Sequence, residues 1–187
     1  MTEECALTRR FAVCSDAEAI AALHAASWRR HYRGAYADAY LDGDVTSERL
    51  AVWSSRLCSS VAQTATVLAE TPDGLAGFAH VILDADERWG ALLDNLHVAA
   101  AYQRRGIGSS LMADAARAVG CDAMYLWVLE QNAPARDFYR ALGGETVERA
   151  VVEPPGGVAG RLAGTPVKLR VVWPDASVVS RSRGRAL

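Results

Sequence analysis

The sequence has no apolar run approaching the roughly 20 residues needed to cross a bilayer. Its first ten residues, MTEECALTRR, turn from acidic to basic and lack the apolar core of a secretory signal. There is no surplus of positive charge: the formal net charge is −2, whereas wholesale nucleic-acid binding calls for a basic face. Cysteine is sparse. Cys5, Cys14, Cys58 and Cys121 are scattered and form no C-x-x-C pair. A chain of this size can be stabilised by its core without a disulfide frame, so they read as reduced thiols. The histidines make no metal set, because His24 and His31 lie two helical turns apart with no Cys, Asp or Glu to complete a ligand spacing. Internal repeats and a second core are also missing. These absences lead to the expectation of a soluble, cytoplasmic protein with no nucleic-acid, membrane or metal partner.

What is present suits one folded unit. The chain has 187 residues, 51% of them hydrophobic. A domain of that size removes roughly 70% of its unfolded surface from water. The expected division is a single domain over 1–176, followed by a basic, flexible tail over 177–187 that carries Arg181, Arg183 and Arg185.

Hydrophobic periodicity orders the elements. Leu7 to Val13 alternates as a first strand would. Ser15-Asp16 offers a cap to an alanine-rich helix over Ala17 to Tyr32, and a second helix is expected from Thr46 to Ser59. Thr64 to Glu70 and Leu75 to Leu83 read as strands joined by the turn Thr71-Pro72-Asp73-Gly74. A strand over Ala91 to Ala99, a helix ending near Val119 and a strand over Ala123 to Leu129 follow. A helix over Asn132 to Leu142 is stopped by Gly143-Gly144, and strands near Glu145 to Val152 and Pro166 to Trp173 close the order. The fold class is α/β: a mixed, mostly antiparallel sheet of six to seven strands with helices on both faces.

The most specific segment is Leu96-His97-Val98-Ala99-Ala100-Ala101-Tyr102-Gln103-Arg104-Arg105-Gly106-Ile107-Gly108-Ser109. It reads as a buried strand, a short loop, and glycines where a helix begins. Glycine permits positive φ and close approach of a ligand. Free N–H groups at a helix start favour an anion such as a pyrophosphate. A dinucleotide-binding turn would place its third glycine where Leu111 stands, although Glu130 ends the next strand where a ribose-binding acid could sit. A P-loop would need Gly-Lys-Ser/Thr, which does not follow. A plain helix-start turn is a further reading.

The spacing Gln-x-x-Gly-x-Gly after a strand ending Leu-x-Val resembles the acetyl-CoA pyrophosphate signature of the GNAT (GCN5-related N-acetyltransferase) superfamily. Downstream, Asn132, Ala135, Phe138, Tyr139 and Gly143 match that family's pattern Asn-x-x-Ala-x-x-Phe-Tyr-x-x-x-Gly, while Gly144 stands where an aromatic is common and is expected to loosen a core contact. The resemblance covers roughly residues 7 to 173 and implies an N-acetyltransferase with acetyl-CoA as cosubstrate. It implies cofactor contacts from Leu96, His97, Val98, Gln103, Arg104, Arg105, Gly106, Ile107, Gly108, Ser109, Asn132, Ala135 and Phe138. Backbone N–H groups around Leu96 to Val98 would polarise the thioester carbonyl. Tyr139 would protonate the departing CoA thiolate; read without the resemblance, it is an interior tyrosine beside Phe138.

The base is less sharply marked. Many family members carry a glutamate on the strand Ala91 to Val98, at a position that aligns with Leu92. Asp94, two residues on, is the substitute candidate, placed by alternation on one face with Leu92, Leu96 and Val98. A hydrogen-bonded strand-end carboxylate is the equal alternative. His97 reads as packed and hydrogen-bonded, and Glu70 as solvated. Trp28, Tyr32 and Tyr36 recur every four residues and are the substrate-side candidates, although such stripes also form core. Arg29, Arg30 and Arg33 read as a solvated face that could favour an acidic acceptor. The acceptor class is a primary amine of a small molecule or peptide. A non-catalytic acyl-CoA-binding regulatory module and a nicotinamide-dependent oxidoreductase are the competing functions. A homodimer through exposed edge strands is the expected assembly.

Overall fold

A computed structural model describes residues 7–59 and 63–181. Cys5, Arg183 and Arg185 lie outside the described residues. The strands are β1 (Thr8–Phe11), β2 (Thr64–Thr71), β3 (Gly74–Asp86), β4 (Gly90–Val98), β5 (Met124–Leu129), β6 (Glu145–Val151) and β7 (Val167–Trp173). They form one seven-stranded sheet in the order β1-β2-β3-β4-β5-β7-β6. All neighbours are antiparallel except β4 and β5, which run parallel. The helices are α1 (Ala17–His31), α2 (Asp38–Asp42), α3 (Val45–Cys58), α4 (Ile107–Val119), α5 (Ala133–Ala141) and α6 (Ser177–Arg181).

Alternation along the strands divides the interior into two layers. Val67 and Ala69 of β2 join the core under α4, where Leu111, Met112 and Ala116 are sealed from solvent. Leu68 points the other way, into a layer with Ile20 of α1, Trp53 of α3 and Phe78 of β3. A third cluster joins Ala35, Tyr36 and Leu41 to Leu129 and Val152. Burying one such large side chain contributes roughly 1.5–3 kcal/mol, so Trp53, Trp173 and Phe78, each nearly inaccessible, anchor the layers.

Three sequence expectations are corrected here. Cys14 and Cys58 form a disulfide, their Cα atoms 5.0 Å apart, because the turn after β1 meets the end of α3; Cys121 is an exposed free thiol. Ser177–Arg181 is helical rather than frayed, since Val179 is buried in the α4-side core. Finally, Asp94 does not share a face with Leu96 and Val98. Val81 opposes Leu93 and His80 opposes Asn95, so Asp94 is an extra residue in β4 with no opposite number. This bulge turns the following residues over. Ala91 and Leu93 before it, and Leu96 and Val98 after it, all face the α4-side core.

Candidate active site

β4 and β5 pair only at Ala91–Met124 and Leu92–Tyr125. Beyond those residues the strands part, and a cavity of about 570 Å³ opens between Leu93–Val98 and Leu126–Leu129. A parallel pair that separates at its C-terminal ends is where an α/β sheet most readily admits a ligand. α1 contributes Ser27, His31 and Tyr32 to the walls, and α5 contributes Ala135, Phe138 and Tyr139.

The turn into α4 closes one end. Arg104 (φ 62) and Gly106 (φ 78) both adopt left-handed backbone, a strained arrangement that aims successive N–H groups into a concavity suited to anions. α4 has no acidic residue in its first turn, so nothing opposes an anion at its positive end. Gly108 leaves a β-carbon's distance of 3.6 Å to Phe138 and 3.7 Å to Val98. Gln103 Nε2 donates to the Val98 carbonyl (3.3 Å), fixing the loop to the strand end. These features fit a pyrophosphate, with Arg104 as the cation at its rim.

α5 is set by its caps. Asn132 Oδ1 accepts from the Ala135 amide (3.3 Å), with proline in the first turn. Ala135, Phe138, Tyr139 and Leu142 then share the core-facing stripe. The Tyr139 ring meets those of Phe138 at 5.3 Å and Trp173 at 6.1 Å. Burial raises its pKa, because the phenolate would lose its hydration. Asp94 stands across the cleft, its Oδ2 accepting from Arg56 (2.7 Å) and from Asn95 Nδ2 (2.6 Å).

Most of the sequence-named residues meet in this cleft: Tyr139, Asp94, Leu96, His97, Val98, Gln103, Arg104, Gly106, Gly108, Ser109, Asn132, Ala135, Phe138 and Tyr32. Four do not line it. The Ile107 side chain is buried in the α4-side core, which leaves only its backbone for a ligand. Arg105 lies over the Tyr102 ring at 5.5 Å. Trp28 and Tyr36 belong to the third core cluster; of the aromatic stripe, Tyr32 alone reaches the cavity. His97 bonds through Nδ1 to Ser27 Oγ (2.8 Å), and burial lowers its pKa to about 4, as expected of a packed histidine. Glu130 is tied to Arg149 (2.9 Å), and Glu70 to Arg10 (2.8 Å) rather than merely solvated. Arg56 and Trp127 escaped the sequence reading. Trp127 lies on the face of β5 opposite Leu126 and Val128, its ring covered by Lys168 and Arg170, and the partner of Arg56 is 38 residues away, so neither leaves a local signal.

Fold and cleft together define an acyltransferase that draws its acyl group from a coenzyme A thioester. The chain belongs to the acetyltransferase (GNAT) family, whose profile matches residues 16–143. The fold is shared with solved structures of low sequence identity. PaiA N-acetyltransferase from Thermoplasma acidophilum, in complex with coenzyme A, is 18% identical with a TM-score of 0.67, the alignment covering 88% of this chain and 98% of that one. YncA from Salmonella typhimurium, with its cofactor acetyl-CoA, is 23% identical with a TM-score of 0.61 over 90% and 94%. Arabidopsis thaliana NAA60, in complex with a bisubstrate analogue, is 18% identical with a TM-score of 0.63 over 90% and 97%. No curated protein matches the chain by sequence.

Proposed function

We propose that the protein transfers an acetyl group from acetyl-CoA to a primary amine of a small molecule or peptide, by direct attack within a ternary complex. The observation that carries this reading is the convergence of Tyr139, Asp94 and the Arg104–Ser109 turn on one cavity. Acetyl-CoA supplies an electrophilic thioester carbonyl. The Gly106–Ser109 backbone and Arg104 hold the pyrophosphate, and the unpaired edge of β4 directs N–H groups at the carbonyl. Asp94 takes up the ammonium proton. Tyr139 delivers its phenolic proton to the sulfur as the C–S bond breaks, and its raised pKa keeps that proton available above neutral pH.

The first test is isothermal titration with acetyl-CoA, CoA and NADH, followed by thiol release with an amine panel. Acetyl-CoA should bind and NADH should not. Tyr139→Phe should lower kcat about 100-fold or more while acetyl-CoA affinity stays within about threefold, and wild-type kcat/KM should show no basic limb below about pH 10. The alternative, a non-catalytic acyl-CoA-binding module, draws on the engagement of Asp94 by Arg56 and Asn95. It requires cofactor binding with no turnover of any amine. The reading extends to a cytoplasmic homodimer joined at an exposed edge, β1 or β6, which sedimentation would test.

A further inference from the structure

An aromatic cluster backs the α1 wall of the cleft and reaches the cavity through Tyr32. Trp28, Tyr32, Tyr36 and Tyr40 stack in turn, with centroids 5.3, 5.0 and 6.4 Å apart. The far end is closed: Arg161 covers the Tyr40 ring at 4.6 Å and pairs with Glu48, and the Tyr40 hydroxyl donates to Glu48 at 3.0 Å. The near end is not. Among the described residues the Tyr32 and Tyr36 hydroxyls have no hydrogen-bond partner. Arg49 of α3 stacks on Trp28 at 4.5 Å and enters no ion pair there, and its Nε is sealed from solvent without an acceptor.

These groups are close neighbours. Trp28, on which Arg49 stacks, lies 5.3 Å from the Tyr32 ring and 5.5 Å from that of Tyr36, and Tyr32 lines the cavity with Asp94 and Tyr139. Tyr32 therefore stands between the reacting end of the cleft and an uncommitted guanidinium. A buried N–H without an acceptor is unfavourable until a ligand supplies one. A guanidinium stacked on a ring keeps its edge free for in-plane bonds to a carboxylate, and neutral phenols can donate to the same group. Of the arginines first considered for an acidic acceptor, Arg29 donates to the Leu41 carbonyl, Arg33 pairs with Asp38 and Asp42, and Arg30 is exposed and does not line the cavity.

Charge balance points the same way. Among the described residues Asp94 is the sole carboxylate lining the cavity, and Arg56 already holds it at 2.7 Å. A polyamine would bring several ammonium groups against that one engaged carboxylate. A phosphomonoester would bring nearly two negative charges against one arginine. We propose that the acceptor is an amine that also carries a carboxylate, an amino acid or close analogue, with its ammonium directed to Asp94 and its carboxylate held by Arg49 and the Tyr32 hydroxyl. This rests on the acetyl-transfer reading above.

Matched amines test it: phenylalanine beside phenethylamine, leucine beside 3-methylbutylamine, and spermidine as the polyamine. Acetyl-CoA binding is measured first by titration; if it fails, the parent reading falls and not this inference alone. With acetyl-CoA bound, phenylalanine should exceed phenethylamine, or leucine 3-methylbutylamine, by about tenfold or more in kcat/KM, with spermidine poorest. Arg49→Met should erase that preference and leave acetyl-CoA affinity unchanged, while Arg49→Lys keeps part of it. Preference for a decarboxylated amine or spermidine, no turnover of any carboxylated amine, or an undiminished preference in Arg49→Met would overturn the inference. Should Arg49→Met fail to fold by thermal melt, the wild-type pairs and Arg49→Lys decide it.

Discussion

A β-carbon at Gly144 would lie 2.6 Å from both Trp173 Cζ2 and Val171 Cγ1. The absent aromatic therefore leaves no loose contact, contrary to the sequence expectation. Trp173 of β7 fills the space, is 1% exposed, and donates through Nε1 to the Leu142 carbonyl at 3.0 Å. It thus packs the core and closes the C-terminus of α5, which carries Tyr139. An aromatic at 144 and the tryptophan at 173 are alternative suppliers of one volume. Gly144→Phe should cost about 2–3 kcal/mol through overpacking, and Trp173→Ala about 3–5 kcal/mol through the cavity it leaves. In the double variant the new ring enters that cavity, so the loss should fall at least ~1 kcal/mol short of the sum. Denaturant melts of the four proteins read the cycle, and strict additivity would show that the two side chains do not share the space.

The start of α4 is the element on which the proposed cofactor binding depends most. Gly106 at φ 78 is its cap, and a β-carbon there meets the steric penalty of left-handed backbone, about 1–2 kcal/mol. Gly106→Ala should lower stability by about that amount and weaken CoA binding about tenfold, because the relaxed turn no longer converges its N–H groups. Titration showing unchanged affinity would move the anion site elsewhere. The turn was legible because glycine spacing and helix onset are local signals, and the same holds for strands and helices set by period, whose ends fell within a few residues of expectation. α2 was not read, since Asp38–Asp42 spans five residues, too few to show a period. The bulge at Asp94 leaves no mark either: Leu92 to Val98 alternates acceptably in two registers, and only pairing with His80 and Val81 selects one. The Cys14–Cys58 pairing and the reach of Arg56 to Asp94 join residues 44 and 38 apart, distances across which composition and spacing carry no information. The turn proposed to hold the cofactor was therefore readable as a motif, whereas the proposed acceptor side is assembled by tertiary contacts.

Across the whole molecule, the layer between α1, α3 and the sheet contains an unusual share of imidazole. His24 accepts at Nδ1 from Trp53 Nε1 (3.0 Å), His80 bonds Thr66 Oγ1 (2.7 Å), and His97 bonds Ser27 Oγ (2.8 Å). The His24 and His97 rings lie 4.7 Å apart, and His80 meets Trp53 at 5.2 Å. Burial lowers the pKa of all of them, to about 4 for His80 and His97 and further for His24; the charge of Arg56 adds to this at His24 and His80, and Asp94 opposes it at His80 and His97. The folded protein thus holds these rings neutral, while the unfolded chain protonates them near pH 6.5. Because the unfolded state binds more protons, stability must fall as pH drops below about 6.5, and continue to fall until the folded rings titrate near pH 4. Each ring contributes at most about 1.4 kcal/mol per pH unit in that window. The carboxylates with lowered pKa, Asp16, Asp42 and Glu130, act only at lower pH, so a loss between pH 7.5 and 5.2 belongs to the histidines, with a smaller share from His31, whose pKa is lowered by partial burial and by Arg30. Urea melts should show it as a drop of several kcal/mol, on the order of 1 kcal/mol per ring, and His80→Gln should flatten the slope by about a third. A midpoint that stays level over this range would mean that the rings are already charged in the fold, or that water reaches them.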